Sequence, residues 1–215
     1  AALDDWRGER IVESGRARGQ STLLLALCFP SVEIHSVELD PHSPHAAVAA
    51  ARLAHLPKVK LLFGDSRRVL PEITRAGDVV VIDGPKDYRG LKLAIALLAH
   101  QRPHAVFMHD CYQGSEERAF LQRAIPNALF SDDPQFEELA RELDARCFEK
   151  QGGAGWRPHL YKGRQQASYG PTYACLPYDA RIPYAWILTK LRVEAMWHSA
   201  RRSVNKRVGV ALDDC

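Results

Sequence analysis

The chain has 215 residues, of which 46% are hydrophobic and 26% charged, with a net charge of +3. That balance excludes a disordered chain and suits one well-buried α/β core. Apolar stretches such as Leu23 to Pro30 are too short to cross a bilayer, and Ala1-Ala2-Leu3-Asp4-Asp5 lacks the basic-then-apolar pattern of a secretory leader, so a cytoplasmic location is expected.

Short apolar runs predict strands near 10–14, 33–39, 59–64, 78–83 and 104–109. Helical patterns fill the gaps near 19–28, 43–55, 66–73 and 88–100. Gly19-Gln20-Ser21 opens the first helix and Pro30 closes it. Pro44 falls in the first turn of the second, where its missing N–H costs nothing. The alternation implies a parallel sheet covered on both faces. Farther on, helices are predicted from Ser115 to Ala124 and from Pro134 to Arg146, with a flexible loop at Gly152-Gly153-Ala154-Gly155. Leu160-Tyr161-Lys162 and Thr172 to Leu176 read as late strands, antiparallel to the rest. Ile182 to Val208 reads as one long helix, which divides the chain into a domain over 1–180 and a basic helix or tail over 181–215.

The strands share a feature that a packed core does not require. The first runs into a glycine turn, Glu13-Ser14-Gly15-Arg16-Ala17-Arg18-Gly19, and the others end in Glu38, Asp65, Asp83 and His109-Asp110. Ligands of open parallel sheets bind beyond the carboxyl ends of the strands, so acids repeated at that edge describe a site. Glu38 stands where a carboxylate accepts hydrogen bonds from both hydroxyls of a ribose. Each residue also has a plainer reading: Glu38 as a solvated strand end, Lys86 as a loop cation, His109 as a histidine bonded to backbone, Asp110 as a turn cap. A nicotinamide dinucleotide site would use similar geometry, but the chain lacks G-x-G-x-x-G, and an acid two residues before the first glycine suits a cationic ligand better than a pyrophosphate.

Taken together, these segments resemble the class I S-adenosylmethionine-dependent methyltransferases. Glu13 to Gly19 is similar to the first motif of that family, with Ala17 in place of a frequent glycine. Glu38 matches the ribose-binding acid, Gly64-Asp65-Ser66 the segment beside the adenine, and Val81-Ile82-Asp83-Gly84 the fourth motif. The resemblance covers roughly residues 9–125. It implies a Rossmann-like, doubly wound, mostly parallel seven-stranded sheet with helices on both faces and a C-terminal helical extension. It further implies S-adenosylmethionine as cofactor, surrounded by Glu13, Gly15, Arg16, Gly19, Ser21, Glu38, Leu39, Asp65, Ser66 and Asp83.

Within the superfamily, Ile82 to Tyr88 and Phe107 to Tyr112 resemble the small-molecule and sugar O-methyltransferases. In catechol-type members, residues matching Asp83 and the pair Asp110-Cys111 bind magnesium, and a lysine matching Lys86 acts as base. Here Cys111 replaces the asparagine of that pair, and magnesium prefers oxygen. The catalytic candidates are therefore Lys86, His109 and Asp110, with Asp83 and Asp110 as ligands if a divalent metal is used. The expected acceptor is a hydroxyl of a small molecule or sugar. The rival readings are a catalytically silent binding protein that keeps the cofactor fold and an RNA methyltransferase that uses the basic tail.

Five cysteines, Cys28, Cys111, Cys147, Cys175 and Cys215, form no metal-like spacing and read as reduced thiols, with Cys28 and Cys175 expected in the core. Between Arg181 and Cys215 seven basic residues face three acids, a surplus of four that leaves the body near −1. The last helix carries Ile187, Leu188, Leu191 and Ala195 on one stripe. That stripe is expected to pack on its own domain or to form a homodimer, rather than to bind nucleic acid or a membrane surface.

Overall fold

The computed structural model describes residues 3, 5–136, 138, 160–161, 164–165 and 173–208. Five parallel strands alternate with helices: β1 (Arg10–Ser14), α1 (Gln20–Cys28), β2 (Glu33–Glu38), α2 (Pro44–Leu53), β3 (Val59–Phe63), α3 (Ser66–Ile73), β4 (Val79–Ile82), α4 (Asp87–His100) and β5 (Ala105–Met108). Then come α5 (Glu116–Ala124), β6 (Leu129–Phe130), a 3-10 turn at Pro134–Phe136, a small pair β7 (Leu160–Tyr161) and β8 (Arg164–Gln165), β9 (Ala174–Pro177) and α6 (Tyr184–Val208).

The main sheet has seven strands in the order β3-β2-β1-β4-β5-β9-β6, and β9 runs antiparallel to both its neighbours. The chain winds outward from β1 to β3, then returns to the other side of β1 to lay down β4 and β5. The order reverses between β1 and β4, which places the ligand crevice of such a sheet at their carboxyl ends.

Side chains alternate across the strands. On one face Val12, Val37, Val80 and Val106 join Leu91, Ile95 and Leu98 of α4 and Leu121 of α5 in the larger core. On the other, Ile11, Ile34 and Val79 pack with Trp6, and Leu25 and Phe29 flank them. The predicted helix starts find their reasons in local bonding. The Ser43, Asp65 and Ser115 side chains accept from the N–H groups of Ala46, Arg67 and Arg118, satisfying first-turn donors of α2, α3 and α5.

The long C-terminal helix is α6, and its Tyr184, Ile187, Leu188 and Leu191 join the larger core beside α4. Its opposite stripe leaves Trp186, Val193, Met196 and Trp197 exposed, with the Lys190 ammonium 3.5 Å over the Trp186 ring. Among the described residues no helix is long and apolar enough to cross a membrane.

The structure corrects some expectations. Cys28 is exposed at the end of α1, because that helix buries only Thr22 fully and turns Leu24 and Leu27 outward; Cys111 and Cys175 are buried. Strand β6 is two residues long and β8 lies in a tight pair, too short for an apolar period to announce either. Of the helix expected from Pro134 to Arg146, Pro134–Phe136 form a 3-10 turn and Glu138 is α-helical. The rest of it, the Gly152–Gly155 loop, Lys162, Cys147 and Cys215 lie outside the described residues.

Candidate active site at the sheet edge

The glycine turn after β1 is fixed from three sides. Gly15 has φ +84°, and a Cβ on it would lie 2.8 Å from the carbonyl carbon of Asp83 and the nitrogen of Gly84. The close approach that this glycine permits is therefore to the end of β4. The N–H groups of Gly15 and Arg16 donate to the Val37 carbonyl on β2. Gly19, at φ +73°, caps α1 in the left-handed conformation and packs against Leu53 and Ala49 of α2. The first-turn N–H groups of α1 consequently sit at the same edge.

Two residues expected around a ligand, Glu13 and Arg16, are buried. Glu13 is wholly buried and accepts hydrogen bonds from the hydroxyls of Ser21, Thr22 and Ser36, the last at 2.7 Å. Its period along β1 directs it under α1, away from solvent. Arg16 is 1% exposed; its guanidinium donates to the carbonyls of Ser36 and Leu62 and lies 4.8 Å from the Phe63 ring centroid. Burial pushes its pKa down, against the pull of Glu38 and Glu13. These two residues tie the turn to β2 and β3. Ser21 is half-buried, its hydroxyl committed to Glu13.

Glu38 does reach the edge. It is half-buried and accepts from the backbone N–H groups of Ala17, at 2.7 Å, and Leu39, at 2.8 Å. Beside it Leu39 is 66% and Phe63 43% exposed, an apolar flank such as a flat base requires. Asp65 caps α3 and is held well below the usual carboxylate range, at about 2, by hydrogen bonds from Arg67; Ser66 is buried behind it.

The other half of the edge is ionic. β4 and β5 are adjacent and in register through Ile82 and Met108, so Asp83 and His109-Asp110 emerge side by side. The Lys86 ammonium pairs with Asp83, lies 2.6 Å from Asp110 Oδ2 and 3.1 Å from His109 Nδ1. His109 Nδ1 is also 2.9 Å from Asp83 Oδ1 and 3.0 Å from Asp110 Oδ1. Burial lowers the His109 pKa, but hydrogen bonds to Asp110 and Asp83 outweigh it and raise the value to about 9. The His109 bond, opposed by burial, takes Asp110 down to about 2. Lys86 is raised by the same two carboxylates despite its burial.

Residues 12–111 match the family described as "Methyltransferase domain". Their strand order and acidic edge are those the motifs imply. Among solved structures, the chain is similar to a methyltransferase of Podospora anserina bound to S-adenosylhomocysteine, with 16% identity over 82% of this chain and 75% of that one, TM-score 0.47. It is also similar to the O-methyltransferase TomG of Streptomyces achromogenes, with 19% identity over 82% and 76% of the chains and a TM-score of 0.45. An rRNA methylase of Streptococcus thermophilus gives 12% identity over 82% and 92%, TM-score 0.47. No curated protein matches the chain in sequence.

Does this edge have the donors for magnesium? Asp83, His109 and Asp110 bring one ligand atom each within 4.8 Å of one another. The third oxygen ligand is missing. Cys111 is 1% exposed, and burial pushes its thiol up to about 12. Lys86, moreover, already bonds both carboxylates. Two oxygens and an imidazole around an ammonium do not fit a cation that asks for near-octahedral oxygen ligation.

Sequence reasoning missed Tyr173. Its ring stands edge-on to His109, centroids 4.8 Å apart, just before β9. Burial raises its hydroxyl to about 12, helped by Asp83, Glu13 and Asp110. The only sequence signal was its place before a late strand, whose pairing with β5 could not be read from local pattern.

Proposed function

We propose that this protein is an S-adenosylmethionine-dependent O-methyltransferase acting on a hydroxyl of a small molecule or sugar. The observation that carries the reading is the cluster of Asp83, Lys86, His109 and Asp110 just beyond the ends of β4 and β5, beside the glycine turn that follows β1. S-adenosylmethionine supplies a methyl group on a positively charged sulfur that departs as a neutral thioether. What remains for the protein is alignment and one proton.

In this reading Glu38 holds the ribose hydroxyls, Leu39 and Phe63 cover the adenine, and the turn after β1 borders the sulfonium. The acceptor hydroxyl approaches from the β5 side. Its oxygen forms the new bond to the methyl carbon as the carbon–sulfur bond breaks, and its proton must leave. In its neutral form, which grows as pH approaches about 9, His109 keeps its Nδ1 proton toward Asp83 and Asp110 and takes the acceptor's proton at Nε2. Asp83 and Asp110 hold the imidazole in place.

Calorimetry with S-adenosylmethionine and with its demethylated product tests the first half. Binding of NAD with no binding of either sulfur compound overturns it. Transfer of labelled methyl from the cofactor into a metabolite extract tests the second. Product in the fraction of hydroxyl-bearing small molecules supports the reading; label in RNA favours the basic tail as substrate dock, and cofactor binding without any transfer favours a silent binding protein. Asp110→Ala is expected to abolish turnover and leave cofactor affinity within about twofold.

A further inference from the structure

The ionic half of the edge holds an arrangement that charge alone makes unusual. Asp83 and Asp110 end adjacent parallel strands, with side chains 31% and 21% exposed. Two carboxylates so placed repel unless a cation lies between them. The same two residues, with His109, present three potential metal-ligand atoms within 4.8 Å of one another. Yet the atom among them belongs to the chain. The Lys86 ammonium touches all three residues, pairing with Asp83, 2.6 Å from Asp110 Oδ2 and 3.1 Å from His109 Nδ1.

We infer that Lys86 is the resident cation of this cluster, that the cluster therefore takes no divalent metal, and that removing the ammonium turns it into a metal site. Backbone geometry places the ammonium there. Lys86 occupies the position just before α4, three residues beyond Asp83, so its long side chain folds back over the strand end from which it departed. A divalent ion entering the native cluster meets two carboxylates already paired with the lysine and in contact with His109. It would also have to expel the ammonium from both carboxylates. Without Lys86 the same ligands carry −2, which balances a divalent ion, and the imidazole nitrogen becomes a third donor. A mixed oxygen and nitrogen set suits manganese, cobalt or zinc better than magnesium. This consequence for metal binding does not depend on the methyl-transfer reading above.

The test uses Co2+ and Mn2+ as probes on the full chain. The wild type is expected to show no stoichiometric Co2+ absorption band, no Mn2+ binding by electron paramagnetic resonance, and no change of melting temperature between Mn2+ and chelator. Lys86→Met keeps the aliphatic stem and removes the charge. It is expected to bind one Co2+ per chain at least tenfold more tightly than wild type, and to lose that site in the double variant with Asp110→Asn. Lys86→Gln provides a second uncharged variant should Lys86→Met fail to fold. Stoichiometric metal binding by the wild type overturns the inference, and so does absence of metal binding in a folded Lys86 variant. Calorimetry of S-adenosylmethionine on the same preparations separates this outcome from the methyl-transfer reading. A chain that binds no cofactor but gains Co2+ on losing Lys86 sinks the latter and supports the former.

Discussion

Glu13 on β1 and Asp83 beyond β4 lie on neighbouring strands, and the chain answers their negative charges in different ways. Glu13 is buried under α1 and satisfied by three hydroxyls, from Ser21, Thr22 and Ser36. Asp83 is partly open to solvent and shares Lys86 and His109 with Asp110. A hydroxyl cage is rigid and holds its donors in fixed geometry, so it serves to lock the turn that carries Gly15. An ion cluster at the rim keeps a protonatable nitrogen and a flexible ammonium within reach of a ligand. The first solution is architectural and the second is chemical, although both occupy one edge.

The sharpest way to break that contrast is to remove the proton acceptor. If His109 takes the acceptor's proton, His109→Ala should lower kcat by roughly 10²- to 10⁴-fold, the range for a lost general base. Measured at pH 9, where most of the stabilisation from its proton is gone, its melting temperature should stay close to that of the wild type. The measurement pairs steady-state kinetics with thermal unfolding. A large stability loss with proportionate activity loss would make His109 architectural as well.

Removing the carboxylate on the other side should do the reverse. Glu13→Ala leaves three hydroxyls without their shared acceptor, two of them, Thr22 and Ser36, wholly buried. Each unsatisfied buried hydroxyl costs ~1–3 kcal/mol, so a loss of about 3 kcal/mol is expected in urea unfolding. Glu13→Gln keeps the shape and one acceptor oxygen and should recover part of it. If Glu13→Ala weakened cofactor binding with stability unchanged, Glu13 would belong in the crevice after all.

Between these extremes stands Glu38, which the chain satisfies only through two backbone N–H groups at the edge. If it holds a ribose, Glu38→Ala should cost ~1.5–3 kcal/mol of S-adenosylmethionine affinity, the worth of a hydrogen bond to a charged group. Isothermal titration reads this directly, and an unchanged affinity removes Glu38 from the ribose.

The same contrast explains what the sequence disclosed. The alternation of strands and helices through Met108 was legible because each element is long enough to carry a period and is closed by a local signal, such as Ser43 before Pro44 or Gly19 before Gln20. That acids gather at one edge was legible because parallel strands all end on one side. Where each acid points was not. Glu13 and Glu38 occupy similar positions in the pattern, yet the pleat sends one under α1 and leaves the other at the rim. The partners that decide their roles, Thr22 and Ser36 for one and the backbone of Ala17 for the other, are 9, 23 and 21 residues away. The convergence of Lys86 on Asp110 spans the whole of α4. Tyr173 reaches His109 only because β9 pairs antiparallel with β5, a long-range choice that no local period encodes.

The smallest expected effect is on how stability depends on pH, since every member of the ion cluster is at least partly solvated. His109 has its pKa raised in the fold, from 6.5 to about 9, because Asp110 and Asp83 outweigh the opposing effect of burial. A raised value means that the folded state binds the proton more tightly than the unfolded chain. Its stabilisation is therefore complete below 6.5 and is lost as pH rises through about 9. Asp110 is depressed from 3.8 to about 2, so its contribution is complete above 3.8 and is lost as pH falls through about 2. Lys86, raised above 10.5, keeps its share until the pH exceeds that value. The cluster as a whole stabilises most between about pH 4 and 6.5 and declines between 6.5 and 9. Urea midpoints at pH 6, 7.5 and 9 should fall more steeply for the wild type than for His109→Gln, whose side chain cannot take up a proton. Equal slopes in the two proteins would mean that the His109 proton is not held by Asp83 and Asp110, and the distinction between a titrating cluster and a neutral cage would fail at its ionic half.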